Sequence, residues 1–258
     1  MMRFPLLSRL VNGVLGRFGY ALVRIDGASR PPPEPAPDAQ YLYDNPQLVG
    51  VYAPWLTDRP FLQVWRKARS HTLTDIFRCH ELWTCVREVA KVPGDIVEVG
   101  VWRGGSGAVL AASAKAFKPD ARVWLCDTFT GVVKAGHADP SYRGGEHADT
   151  SAGIVTTLLA DLQLDNATVL RGIFPDQTAA PIGERAIALC HIDVDVYQSA
   201  ADIVAWVTPR LSRGAMLVFD DYGFATCQGI TRLVDELRTS GDWLYFYNLN
   251  KHAILVRR

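Results

Sequence analysis

The chain has 258 residues, 48% of them hydrophobic and 21% charged, with 27 basic and 27 acidic side chains. That length and apolar content suit one large α/β domain or two small ones and exclude a disordered chain. The balanced charge argues against a general nucleic-acid binder, and no stretch approaches the roughly 20 consecutive apolar residues of a membrane-spanning helix.

Residues 1–30 carry Arg3, Arg9, Arg17, Arg24 and Arg30 against the single acid Asp26, which makes this tail net +4 and the remainder net −4. Phe4, Leu7, Val11, Val14, Leu15 and Phe18 recur at three- and four-residue spacing and share one helical face, with Arg9 and Arg17 off it. The pattern is that of a basic amphipathic helix meeting an anionic membrane through residues 1–25, or a partner surface. A helix docked on its own domain has the same pattern. No small-residue cleavage site follows, so a signal peptide is the poorer reading. Residues 31–40, with five prolines between Pro31 and Pro37, read as a semi-rigid linker. Residues 41–94 form the expected N-terminal helical cap. Residues 41–69 hold aromatics and prolines without a clear period. A helix is expected over 70–91, with Leu73, Ile76, Phe77, His80, Trp83 and Ala90 near one face, stopped by Pro93-Gly94.

From Asp95 to Arg258 apolar strands alternate with helices. The strand candidates are Asp95–Gly100, Arg122–Asp127, Thr168–Gly172, Ala186–Asp193 and Ala215–Asp220, with helices near 105–117, 150–162, 197–211 and 226–239. This alternation predicts an α/β fold: a doubly wound, mainly parallel Rossmann-like sheet with helices on both faces. Trp243–Tyr247 and His252–Val256 would add an antiparallel edge hairpin. Cys79, Cys85, Cys126, Cys190 and Cys227 are scattered and form no C-x-x-C pair, so neither a disulfide framework nor a zinc site is expected, and a reducing cytoplasm is favoured. Self-association with a second copy is left open.

In sheets of this class ligands sit at the carboxyl ends of the strands. The first strand runs into Glu98-Val99-Gly100-Val101-Trp102-Arg103-Gly104-Gly105-Ser106, a glycine-rich turn where a ligand could approach the backbone and the N–H groups of the next helix. It matches neither a P-loop nor the dinucleotide fingerprint. A turn-forming glycine cluster beside a buried Trp102 is the plainer reading. The second strand ends in Asp127-Thr128-Phe129, where an acid can grip a ribose diol or cap a helix. Together these two strand ends suggest an adenosine-containing cofactor. Asp193, Asp195, Asp220 and Asp221 close the fourth and fifth strands. Four such carboxylates repel one another unless cations neutralise them or several face solvent, and a hard divalent ion such as Mg²⁺ suits them.

These residues resemble a known family. Glu98-x-Gly100-x-x-x-Gly104-x-Ser106 looks like the first motif of metal-dependent S-adenosylmethionine O-methyltransferases of the catechol type. The string from Gly94 to Gly105 is similar to a narrower branch, the macrocin O-methyltransferase (TylF/NovP-like) family, which modifies sugars and glycosylated natural products. Asp127-Thr128-Phe129-x-Gly131, Arg171-Gly172-Ile173-Phe174-Pro175, Ile192-Asp193-Val194-Asp195-Val196-Tyr197 and Asp220-Asp221-Tyr222 resemble its later motifs. The resemblance spans about residues 70–240. It implies a methyltransferase fold, S-adenosyl-L-methionine and Mg²⁺ as cofactors, and a small-molecule or glycan acceptor. It further implies metal ligands Asp193, Asp220 and Asp221, a general base Asp195, and a cofactor site drawn from Glu98, Gly100, Val101, Trp102, Gly104, Ser106, Asp127, Thr128, Phe129, Gly172 and Phe174. The catechol enzymes carry a lysine base where this chain has Val196, so the role of Asp195 rests on the narrower family. Lys134–Thr150 departs from the pattern and is expected to be a mobile substrate lid, with His137 and His147 solvated. The D-x-D form of Asp193-Val194-Asp195 also suggests a metal-dependent glycosyltransferase, and a non-catalytic binding protein is the third class.

Overall fold

The structure is a computed structural model that describes residues 52–248 and 250–258. The basic tail (1–30), the proline linker (31–40) and the first part of the expected cap (41–51) lie outside the described residues. Ala53–Arg258 forms one compact unit. Among the described residues no helix is long and apolar enough to cross a membrane.

Seven strands make one sheet: β1 (Asp95–Val99), β2 (Val123–Asp127), β3 (Ala167–Arg171), β4 (Ile187–Ile192), β5 (Leu211–Phe219), β6 (Trp243–Tyr247) and β7 (Ala253–Arg257), in the order β3-β2-β1-β4-β5-β7-β6. The five strands from β3 to β5 are parallel. The hairpin β6–β7 enters antiparallel through β7, as the sequence predicts. All residues of β1 and β4 are buried, as a central parallel strand covered on both faces requires.

Among the described residues six α-helices flank the sheet: α1 (Arg59–Ala68), α2 (Ile76–Glu88), α3 (Gly105–Phe117), α4 (Ala152–Asp161), α5 (Tyr197–Val207) and α6 (Gln228–Arg238). The strands divide their side chains by alternation. Val97, Val99, Cys190, Ile192, Leu217 and Phe219 face the α5/α6 layer. Ile96, Leu125, Leu189 and Val218 face the α2/α3/α4 layer.

Two expectations need correction. Residues 41–69 hide a helix, α1, whose start is written in Asp58-Arg59-Pro60: Asp58 accepts from Phe61 N at 3.2 Å and Pro60 occupies the first turn. The buried face of α2 is wider than the one expected, although His80 and Trp83 are buried as expected. Phe77 is 50% and Leu73 64% exposed, whereas Arg78, Cys79, Leu82, Cys85 and Val86 are buried. The reason is that α2 is covered from two sides, by α1 and by α3, so its buried arc is wider than a single amphipathic stripe.

Candidate active site

A cavity of about 350 Å³ opens at the carboxyl ends of β1, β2, β3, β4 and β5. Of the residues expected at the site, Gly100, Val101, Trp102, Ser106, Asp127, Thr128, Gly172, Phe174, Asp193, Asp195, Asp220 and Asp221 line it. Glu98, Gly104 and Phe129 do not. Glu98 is fully buried behind the turn, with Oε1 2.9 Å from His191 Nδ1. Gly104 is the N-cap of α3 at φ +92°, where a Cβ would press on Val155 at 2.9 Å. Phe129 is a core residue on the α3 side.

At the β1 and β2 ends the backbone dominates. Gly100 has φ +90°, and a Cβ there would fall 1.6 Å from the carbonyl oxygen of Asp193. Only glycine lets the β1 turn and the β4 end lie this close. Asp127 Oδ2 accepts from Val101 N at 2.7 Å and from Trp102 N at 2.8 Å, and Oδ1 accepts from Phe129 N at 2.6 Å. Three of the carboxylate's roughly four lone-pair positions are therefore spent on shaping the turn. Trp102 is half-buried, and its Nε1 donates to Asp149 Oδ1 at 2.9 Å. Phe174, Ile203, Val133 and Cys126 give this end an apolar wall.

At the β4 and β5 ends the side chains dominate. Oxygens of Asp193, Asp220 and Asp221 lie within 4.8 Å of one another, and Asp195 lies as close to Asp221 and the Cys227 sulfur. Asp195 and Asp221 both have φ +64°, a region non-glycine residues seldom occupy and one that recurs at functional sites. Burial pushes Asp193 well above the usual carboxylate range, and the charges of Asp220, Asp221, Asp195 and Glu98 add to it. Asp221 is raised to about 8 by burial and then by Asp220 and Asp195. Burial also raises Asp195, against a hydrogen bond from Tyr142 that favours its charge. A bound divalent cation would reverse the shifts of Asp193 and Asp221, and with Asp220 these make three clustered carboxylate donors that fit a hard ion such as Mg²⁺.

Asp220 differs from its neighbours. Burial opposes its charge, but His252 and Arg78 outweigh that and hold the carboxyl below the usual range. Arg78 Nη1 lies 2.6 Å from both of its oxygens, and His252 Nε2 is 3.0 Å from Oδ1. His252 Nδ1 in turn meets Glu81. Burial disfavours the His252 imidazolium, yet Asp220 and Glu81 raise it to about 9. None of Arg78, Glu81, His191 or His252 is expected from the sequence motifs. The signal for His191 and His252 is the period-two alternation itself, whereas Arg78 and Glu81 lie on α2 and have none. On the α2/α3 face Ile96 is followed two residues on by Glu98, Leu189 by His191 and Val218 by Asp220, and Ile254 is preceded by His252. At one level of the sheet the apolar layer becomes ionisable.

Lys134–Thr150, expected as a lid, runs along this side of the cavity and docks on α5. Ser199 Oγ donates to Val133 O at 2.8 Å, and Lys134 Nζ lies 2.6 Å from Asp202 and 3.3 Å from Asp176. His147 lines the cavity and is exposed.

The glycine turn, the aspartate-held second strand end and the acidic fourth and fifth strand ends thus meet around one cavity. Residues 58–242 match the family model for macrocin-O-methyltransferase (TylF). The chain is 36% identical over 211 residues to the Streptomyces olivaceus 8-demethyl-8-(2,3-dimethoxy-alpha-L-rhamnosyl)-tetracenomycin-C 4'-O-methyltransferase, covering 75% of each chain. It is 32% identical over 190 residues to the Streptomyces niveus demethyldecarbamoylnovobiocin O-methyltransferase, covering 68% of this chain and 70% of that one. The solved structure of the O-methyltransferase NovP superposes with a TM-score of 0.64 at 27% identity, over 72% of this chain and 82% of that chain. The chain belongs to the macrocin-O-methyltransferase family, and it is an O-methyltransferase that uses S-adenosylmethionine. Asp193-Val194-Asp195 is thus a strand end of a methyltransferase sheet, and the glycosyltransferase reading falls.

Proposed function

We propose that the protein methylates a sugar hydroxyl on a glycosylated small molecule, with Asp193, Asp220 and Asp221 holding Mg²⁺ and Asp195 serving as general base. The observation that carries this is the convergence of four carboxylates, three with suppressed ionisation, beside a cavity walled by the glycine turn. The acceptor class is supported by the relatives, named for a rhamnosyl 4'-hydroxyl in one case and, in mycinamicin III, a 3''-hydroxyl in another.

When bound, S-adenosylmethionine supplies an electrophilic methyl group and the divalent cation a Lewis acid that lowers the acceptor hydroxyl's pKa. The chain's own residues do the rest. The Gly100–Trp102 backbone and the remaining lone pair of Asp127 receive the cofactor. Phe174, Ile203 and Val133 keep water from its apolar end. Arg78 and His252 keep Asp220 ionised and oriented, which commits it to ligation. Asp195 takes the hydroxyl proton as the oxygen–methyl bond forms and the sulfur–methyl bond breaks, and its raised pKa suits a base.

The test is methyl transfer to a rhamnosylated aglycone, followed by mass spectrometry. Chelation is expected to abolish turnover and Mg²⁺ to restore it, while Asp193→Ala loses Mg²⁺ binding by calorimetry with its circular dichroism intact. Full turnover in chelator would overturn the metal assignment. Transfer to a catechol but to no sugar hydroxyl would overturn the acceptor class.

A further inference from the structure

The turn from Asp139 to Tyr142 has no part in the mechanism above, yet it is built into the site. Asp139 is 1% exposed, and its Oδ1 accepts from Tyr197 N at 2.9 Å in the first turn of α5. The N-cap of that helix is Val196, which has no side chain able to cap, so Asp139 supplies the missing acceptor from another segment. The fit leaves no slack: a Cβ on Gly229 would lie 1.9 Å from Asp139 Oδ1. Tyr142 N closes the turn onto Asp139 O at 3.0 Å. From there the Tyr142 hydroxyl donates to Asp195 Oδ1 at 2.7 Å and lies 3.4 Å from the buried Cys227 sulfur.

Asp195 needs such support. It sits at φ +64° between Val194 and Val196, and a residue in this region keeps its conformation only where its surroundings impose it. Asp221, whose carboxylate lies within 4.8 Å of that of Asp195, belongs to the metal set. An unrestrained Asp195 could turn into that set and lose its basicity to the ion.

We propose that Tyr142 is a positioning residue for Asp195: its hydroxyl ties down Oδ1, holds the carboxylate out of the metal's ligand set, and leaves Oδ2 for the acceptor's proton. Asp139 fixes the turn from which Tyr142 acts. This rests on the reading of Asp195 as the base.

The experiment is a double-mutant cycle of Tyr142→Phe and Asp195→Asn, read as kcat, acceptor KM and Mg²⁺ affinity. Tyr142→Phe should lower kcat about tenfold, the weight of one hydrogen bond to a charged group. Acceptor KM should change less than twofold. In the Asp195→Asn background the same substitution should do nothing further, because the group it positions no longer acts. An unchanged kcat in Tyr142→Phe overturns the proposal. So do losses that multiply in the double variant, or a raised KM at intact kcat, which would make Tyr142 an acceptor contact. Full activity in Asp195→Asn alone sinks the base reading itself, and that single variant tells the two failures apart. If Tyr142→Phe does not fold, Asp139→Asn loosens the same turn from outside the cavity and carries the same expectations.

Discussion

The two ends of the cavity are built on opposite electrostatic plans. At the β1 and β2 ends one carboxylate, Asp127, gives three of its roughly four lone pairs to backbone N–H groups, so that end is ordered before any ligand arrives. At the β4 and β5 ends four carboxylates crowd together, and among them Asp220 alone has cationic side chains as close partners. The first end stores order, and the second stores repulsion that a cation would relieve. Substitution should accordingly damage the fold at one end and the chemistry at the other.

The largest expected effect comes where the two ends touch. Gly100→Ala would place a methyl group 1.6 Å from the Asp193 carbonyl oxygen while holding φ at +90°. Backbone on both sides must move, and a loss on the order of 3 kcal/mol is expected from strain of this kind. Gly145→Ala is the control, since its φ is also positive, at +91°, but nothing lies within 4 Å of the new methyl. Equal denaturant midpoints for the two variants would mean that the close approach of the β1 turn to the β4 end is not what the glycine serves.

A smaller effect should follow at the cofactor end alone. Asp127→Ala strands three N–H donors, and each hydrogen bond to a charged acceptor is worth about 1.5–3 kcal/mol, partly recovered from water. Affinity for S-adenosylhomocysteine should fall at least tenfold by calorimetry, while Mg²⁺ affinity should stay as it was. A loss of both affinities would show that the ends are not independent.

The parallel sheet, its edge hairpin and the four acids were legible because each is a local signal: an apolar run, a strand end, a turn. α1 escaped because residues 41–69 hold aromatics and prolines without a clear period, leaving Asp58 and Pro60 as its start signals. Glu98 is expected at the cofactor because its motif is contiguous with Gly100. The structure leaves it fully buried and outside the cavity lining, with Oε1 2.9 Å from His191 Nδ1. Arg78 and Asp220 are 142 residues apart, and no spacing rule can bring such partners together before the topology does. Tyr142 was hidden for the same reason, in a segment whose periodicity says nothing.

The smallest expected effect distinguishes stored repulsion from stored order by pH. In the folded state burial, with the charges of Asp220 and Asp195, pushes Asp221 up to about 8, far above the usual carboxylate range. Between about pH 4 and 8 the metal-free folded state therefore holds a proton that the unfolded chain has released, so stability falls as pH rises through that window. His252, raised to about 9, stabilises fully below its ordinary value and loses that contribution as pH rises through 9. Asp220 is depressed and has the opposite sign, so its contribution is lost only in strong acid. The metal-free protein should thus melt progressively lower from pH 5 to pH 9. Saturating Mg²⁺ favours the ionised form of the acids and should cancel the Asp221 share while leaving the His252 share. The Mg²⁺-induced rise in Tm should be smallest at pH 5 and largest near pH 8, reaching a few degrees, since about 1 kcal/mol moves a domain of this size by roughly 2–4 °C. Calorimetric scans at both pH values decide it. Equal stabilisation at pH 5 and pH 8 would mean that the ion does not compete with protons at these acids, and that the repulsion is relieved in some other way.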